Sequence, residues 1–283
     1  MTYPEAQRQI TDNLLSIYTP GEAAAISALL LEHITGKRPQ EWRLRDHTAL
    51  TAAQEQAITP LLARLLAHEP VQYVTGEAWF CGLRFSVNRH VLIPRPETEE
   101  LVEWLISQCR FPIDTLSIAD MGTGSGCIPI ALKKRLSKAD VRGYEISPDA
   151  LQVARGNAAA LDIPVRFEQL DMLDSDATAS LPCFDFITSN PPYIPKKEKD
   201  SMPLNVTGYE PELALFVPDN DPLLFYKALA TLGKNKLNPG GMLLLELHED
   251  LAQQCEALFA REGYQAEIKK DMQGKERMLR AWH

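Results

Sequence analysis

The chain has no excess of positive charge: 29 Lys and Arg stand against 38 Asp and Glu, for a net charge of −9. A protein that grips nucleic acid along many phosphates needs a basic face, so this balance argues against direct nucleic-acid binding. Lys196-Lys197-Glu198-Lys199, the one basic cluster near the residues singled out below, reads as a solvated loop. There is no apolar run of the roughly 18 residues that a membrane span requires. Met1-Thr2-Tyr3-Pro4-Glu5 lacks the basic stretch and apolar core of a secretion signal, so a cytoplasmic location is expected. Cysteines are few and odd in number. Cys81, Cys109, Cys127, Cys183 and Cys255 are scattered with no C-x-x-C pair, which argues against a disulfide framework and a zinc site; buried thiols and no metal are expected.

What is present is an ordinary globular composition, 45% hydrophobic and 24% charged, over 283 residues, long enough for two domains or for one with an appendage. From Tyr3 to about Ala67 the pattern is helical and rich in Ala and Leu. Pro20-Gly21 opens a helix with Ile26, Leu29, Leu30 and His33 on one face, His33 at the core boundary, and Gly36 as its stop. Thr51-Ala52-Ala53-Gln54 fits a capping box, and Pro60 is expected to kink or restart that helix. These segments predict a small helical bundle over 1–70 that serves recognition. Residues 72–79 and 83–87 read as a hairpin turning near Cys81-Gly82, so 71–96 is expected to be a β-hairpin linker acting as a hinge. From 116 onward strands and helices alternate: strands over 116–121, 141–146, 165–170 and 184–189, with helices between. A helix over 222–237, a turn at Asn238-Pro239-Gly240-Gly241, a strand over 242–247 and a helix over 250–260 follow. This rhythm predicts an α/β domain over 97–283 with a parallel sheet covered on both faces. Its last two strands, 264–270 and 277–282, have too short a connection to be anything but antiparallel.

Chemistry-bearing residues fall at strand ends. Asp120-Met121-Gly122-Thr123-Gly124-Ser125-Gly126 closes the first strand, and such a glycine-rich turn lets a ligand approach bare backbone. Glu145, 25 positions on, ends the second strand, where a carboxylate can bind both hydroxyls of a ribose. Asp171-Met172 follows the third, placed to accept from an adenine amino group while the methionine packs on the ring. Singly, each acid also reads as a loop or cap residue; together they describe a nucleoside site. A dinucleotide would want G-x-G-x-x-G with its pyrophosphate on the helix N-terminus. Here G-x-G-x-G preceded by an acid suits a ligand with an ammonium group and no phosphate, which points to S-adenosylmethionine.

Asn190-Pro191-Pro192-Tyr193 follows the strand over 184–189. Two prolines hold φ at about −65° and remove two amide donors, leaving a stiff, acceptor-rich turn. Asn190 adds a side-chain carbonyl and Tyr193 an aromatic face, so a planar group bearing NH2, an amide or an exocyclic amine, could be hydrogen-bonded and stacked. The bland alternative is a strand that ends in a rigid turn. Arg95, held between Pro94 and Pro96, is a further candidate for substrate binding.

These motifs resemble the class I S-adenosylmethionine-dependent methyltransferases that modify amide or exocyclic nitrogens. More closely, Glu69-Pro70-Val71-Gln72-Tyr73, the run from Val91 to Glu99, Asn190-Pro191-Pro192-Tyr193-Ile194 and Tyr209-Glu210-Pro211 are similar to the HemK/PrmC family. The resemblance covers nearly the whole chain. It implies a seven-stranded, mostly parallel, Rossmann-like methyltransferase sheet with an antiparallel C-terminal strand, plus a small helical domain that helps bind a peptide chain release factor. The implied product is N5-methylglutamine in the factor's Gly-Gly-Gln motif. The cofactor would rest on Asp120, Gly122, Thr123, Gly124, Gly126, Glu145, Asp171, Met172 and Asn190. The substrate would rest on Asn190, Pro191, Pro192, Tyr193 and Arg95. Asn190 Oδ1 and the Pro191 carbonyl would each accept one amide N–H, with Tyr193 packed on the amide plane. One departure stands out, Met172, where the family commonly has an aromatic residue. Alternatives are an adenine-N6 methyltransferase on DNA or RNA, disfavoured by the charge, glutamine methylation of a ribosomal protein, and a binding module that holds S-adenosylmethionine without catalysis.

Overall fold

A computed structural model describes residues 1–38, 40–41, 48–109 and 113–283 and divides the chain into two units: Met1–Glu77 with Pro203–Tyr209, and Ala78–Met202 with Glu210–His283. The expected boundaries at 70/71 and 96/97 thus differ from the observed division, which falls at Glu77/Ala78 and gives the first unit a segment from far along the chain.

In the first unit, three Thr-x-x-Glu/Gln boxes start three helices. They are α1 (Tyr3–Leu14) after Thr2, α2 (Pro20–Thr35) after Thr19 and α3 (Ala52–Leu66) after Thr51. At α3 the box is reciprocal: Gln54 N–H donates to Thr51 Oγ1 and Thr51 N–H to Gln54 Oε1, so each end satisfies a donor the helix leaves orphaned. Pro60 lies inside α3, which runs through it unbroken. On α2 the buried stripe is Ala23, Ser27, Leu30 and Leu31, whereas Leu29 and His33 are exposed. A helix apolar on most sides does not declare its inner face. Gly36 ends it in the left-handed region, as expected. The strand expected over 72–79 is borne out only at its end: residues 72–75 lie in the short helix α4 (Val71–Thr75), stopped by Gly76 at φ 73°. The helical expectation over 42–47 falls outside the described residues.

The second unit begins inside a hairpin, β1 (Glu77–Phe80) and β2 (Leu83–Ser86), turning through Cys81 and Gly82 with φ of 48° and 73°. Positive φ at both turn residues matches the right-handed twist of the strands. Asn157 clamps β2 to the α/β part of the same unit, its Oδ1 accepting from Ser86 N–H and its Nδ2 donating to Ser86 O. After α5 (Pro96–Gln108) the alternation proceeds as β3 (Ser117–Met121), α6 (Cys127–Arg135), β4 (Asp140–Glu145), α7 (Pro148–Ala160), β5 (Arg166–Gln169), α8 (Ser175–Ala179) and β6 (Phe184–Ser189). Short β7 (Ile194–Pro195) and β8 (Phe216–Val217) pair with each other, with α9 (Leu204–Thr207) between them in sequence. The chain ends with α10 (Leu224–Lys236), β9 (Leu237–Glu246), α11 (Ala252–Arg261), β10 (Gln265–Lys270) and β11 (Glu276–Trp282).

The sheet order is β10-β11-β9-β6-β3-β4-β5, parallel except that β11 runs against both its neighbours. β9 starts earlier than expected: 238–241 is a bulge inside the strand, marked by a register break opposite Phe184–Phe186, not a turn before it. Ile118, Phe186 and Leu244 are buried on one face of the sheet against Leu101 and Leu105 of α5, while Ala119, Ile187 and Leu245 face a second core that includes Tyr226 and Phe259. The chain moves outward from β3 to β5 and then returns to β6 on the other side of β3, so strand order reverses between β3 and β6. A crevice opens at the carboxyl ends of such a pair.

Candidate active site

That reversal brings the turn after β3 beside the turn after β6. A cavity of about 180 Å³ lies there, lined by Gly122 and Gly124 from the first turn, Glu145 at the end of β4, Asp171 and Met172 after β5, and Asn190 and Pro192 after β6. All seven are among the residues singled out from the sequence.

Each carboxylate is fixed differently. Glu145 is nearly buried and braces the cavity wall, its Oε2 accepting from Gly124 N–H at 2.9 Å and its Oε1 from Ser147 N–H at 3.0 Å. Each oxygen keeps a further lone-pair direction for a ligand hydroxyl. Asp171 uses Oδ1 to hold the turn it begins, accepting from Leu173 N–H. Asp120 is fully buried, takes one bond from Thr123 Oγ1 at 2.6 Å and leaves Oδ1 with no partner among the described residues. Burial pushes its carboxyl up to about 8; the Thr123 bond opposes this and the nearby Glu145 charge adds to it.

The glycine turn is shaped from within. Gly122 and Thr123 both donate backbone N–H to Tyr144 O, and Gly122 takes a φ of 72°. A Cβ on Gly122 would stand 3.2 Å from Met172 Cε, so Met172 reaches across the first glycine. Gly126, at φ 79°, caps α6, and a Cβ there would meet Phe167 and Ala154. Thr123 and Gly126 thus build the turn without lining the cavity.

Asn190 and Tyr193 are held by one carboxylate. Glu246, the last residue of β9, lies one step beyond the register pair of Ser189 and Leu245, which sets it beside Asn190. Its Oε2 accepts from Thr98 Oγ1 at 2.6 Å and its Oε1 from Tyr193 OH at 3.1 Å, while Asn190 Nδ2 donates to Thr98 Oγ1 at 3.1 Å. Burial pushes the Glu246 carboxyl upward against these bonds, and burial together with Glu246 raises the Tyr193 hydroxyl. The Tyr193 ring also meets His248 edge-on at 5.8 Å. Tyr193 and the buried Pro191 do not line the cavity, nor does Arg95. Arg95 pairs with Glu210 at 2.5 Å, and Glu210 also accepts from Ile93 N–H, so the pair fixes the start of α5 where Thr98 sits. Thr98 falls within the run from Val91 to Glu99, yet neither it nor Glu246 was singled out from sequence as a site residue. Neither were Leu92, inside the same run, nor Ile146 and Leu213 of the cavity wall, which only their nearness to the motifs could have suggested.

The arrangement can hold a nucleoside against three strand ends and present an oriented amide acceptor beside it. Among the described residues no group of His, Cys, Asp and Glu could hold a metal ion, and no helix is long and apolar enough to cross a membrane. Residues 5–76 match the PrmC N-terminal domain and residues 98–205 the methyltransferase small domain. The release factor glutamine methyltransferase of Bacteroides thetaiotaomicron is 40% identical over 273 residues, covering 96% of this chain and 97% of its own. That of Flavobacterium psychrophilum is 37% identical over 275 residues, with 96% of each covered. A methyltransferase from Pyrococcus furiosus has the same fold, with a TM-score of 0.52 at 20% identity over 77% of this chain and 95% of its own.

Proposed function

We propose, since this chain belongs to the release factor glutamine methyltransferase family, that it transfers a methyl group from S-adenosylmethionine to the side-chain N5 of the glutamine in the Gly-Gly-Gln motif of peptide chain release factors. The observation that carries this reading is one cavity lined by both the three strand-end groups and Asn190. S-adenosylmethionine fits the residues present. Asp120 lies behind the glycine turn and does not line the cavity, but its Oδ1, without a partner among the described residues, suits the cofactor's ammonium group; Glu145 has lone pairs for two ribose hydroxyls, and Asp171 with Met172 suits an adenine amine and ring. When bound, the cofactor supplies an electrophilic methyl carbon on a sulfonium.

The chain's own residues then have to orient a poor nucleophile, because an amide nitrogen's lone pair is delocalised into its carbonyl. Asn190 Oδ1 and the Pro191 carbonyl each accept one N–H of the substrate amide, which points the nitrogen at the methyl carbon. Positioning of this kind can supply roughly 7 to 11 kcal/mol of barrier reduction. No strong base is needed, since the nitrogen turns acidic as the N–C bond forms and its proton leaves through these acceptors to water. Tyr193, tied to Glu246, holds the far end of the motif. The helical unit over the first 77 residues, with Pro203–Tyr209, is the surface for the release factor.

The test is methyl transfer from radiolabelled cofactor to three acceptors: an intact release factor, the factor with its Gly-Gly-Gln glutamine replaced by Ala, and duplex DNA. Label confined to the intact factor is expected. Label in DNA, or in none of the three, sinks the reading.

A further inference from the structure

An asparagine amide can present either its oxygen or its NH2, and the proposed chemistry needs the oxygen; something must choose. We propose that the Glu246 carboxylate fixes the polarity of the Asn190 amide through the Thr98 hydroxyl, so that Oδ1 faces the methyl acceptor. The inference rests on the amide-methylation reading and assigns Thr98 and Glu246 as positioning residues.

Glu246 and Thr98 are each 2% exposed, so water does not compete for their bonds. An ionised carboxylate can only accept, and both groups meeting Glu246 are hydroxyls, Thr98 on one oxygen and Tyr193 on the other. Thr98 has a single hydroxyl proton. Given to Glu246, it leaves the Thr98 oxygen able only to accept, and Asn190 can satisfy that oxygen only with Nδ2, at 3.1 Å. The amide plane then carries Oδ1 away from Thr98, and nothing among the described residues donates to Oδ1. The reversed amide would face Thr98 oxygen to oxygen unless the threonine withdrew its proton from Glu246. A buried carboxylate short of a donor is costly, so the orientation is enforced and not merely available. The same carboxylate anchors Tyr193, so the first and last residues of the motif hang from one group.

The device is built from three distant parts of the sequence. Thr98 stands in the first turn of α5, where the Arg95–Glu210 pair holds the helix start, and Glu246 is set by the register of β9 against β6.

The experiment uses the full chain, S-adenosylmethionine and a release factor carrying Gly-Gly-Gln. Thr98→Val keeps the shape and removes the hydroxyl; kcat is expected to fall about 10- to 100-fold, with the cofactor dissociation constant unchanged. Thr98→Ser restores the proton and most of the rate. Glu246→Gln can turn either end toward Thr98, so its loss should be smaller than that of Thr98→Val. A second readout is hydrogen exchange of the Asn190 side-chain NH2 in isotopically labelled protein, slow in the wild type and Thr98→Ser and fast in Thr98→Val. Wild-type kcat and wild-type exchange in Thr98→Val overturn the proposal. So does loss of cofactor binding in step with kcat, which marks a merely structural threonine. A wild-type enzyme that leaves the factor unlabelled fails the underlying methylation reading instead, and the exchange measurement still judges the polarity device on its own.

Discussion

Replacing Asp120 with Asn should make the ligand-free protein more stable at neutral and alkaline pH while weakening its hold on S-adenosylmethionine. Burial pushes the Asp120 carboxyl from 3.8 up to about 8. Between those values the folded chain keeps a proton that the unfolded chain has released, so stability falls as pH rises, at about 1.4 kcal/mol per pH unit. The contribution is whole below 3.8 and is lost as pH rises through about 8. From pH 5 to pH 7 the wild type therefore loses about 3 kcal/mol relative to a side chain that does not titrate. Asp120→Asn keeps an oxygen for Thr123 and cannot ionise. For a unit of this size the difference corresponds to roughly 6 to 12 °C in melting temperature. Melting both proteins in half-unit steps from pH 5 to pH 8 should show curves that diverge, the wild type falling. Parallel curves would refute the reasoning, because every other titrating group is shared. The cofactor should suffer in the opposite sense. An ammonium that needs a carboxylate loses a charge-assisted bond, so affinity should drop about 10- to 100-fold by calorimetry.

Asn190→Ala should abolish most turnover, with kcat down at least about 100-fold, and leave cofactor affinity intact, as read by steady-state kinetics beside equilibrium binding; normal turnover would remove Asn190 from the chemistry. Glu145→Gln keeps the shape of the cavity wall but weakens the bonds from Gly124 and Ser147 as well as any to ribose hydroxyls. Its cofactor dissociation constant should rise about tenfold or more, and an unchanged constant would confine Glu145 to bracing the loop. Gly143→Ala places a Cβ 2.7 Å from the Phe167 ring and 2.9 Å from Thr123 Oγ1, behind the glycine turn. Denaturant unfolding should show a loss of about 1 to 3 kcal/mol; wild-type stability would mean that Phe167 yields freely.

The parts of the site legible in the sequence are those that short-range geometry fixes. A strand end followed by glycines, an acid at the next strand end and a proline-stiffened turn each declare themselves within a few residues, and Gly122, Gly124, Glu145, Asp171, Met172, Asn190 and Pro192 do share one cavity. The alternation of 116–189 likewise announced the parallel sheet, and the short connection before β11 its reversal. Local pattern failed where tertiary packing chose among equal options. The start of the stretch over 72–79 reads as strand, yet residues 72–75 belong to a helical turn that a left-handed Gly76 ends. The inner face of α2 could not be told from its other apolar positions.

The support of the site was illegible for a deeper reason. Thr98 and Glu246 are 148 positions apart, and Asn190 is 92 positions from Thr98. A threonine in a helix's first turn and a glutamate at a strand end are, in sequence, a capping residue and a surface acid. Only the order reversal that sets β6 between β3 and β9 turns them into a buried pair behind Asn190. Arg95 illustrates the same limit from the other side. Its two flanking prolines correctly signalled a guanidinium held in one place, but the place is against Glu210, at the helix start that positions Thr98. The residues that line the cavity can thus be marked by local motifs, whereas the bonds that hold them in place are supplied by register and packing.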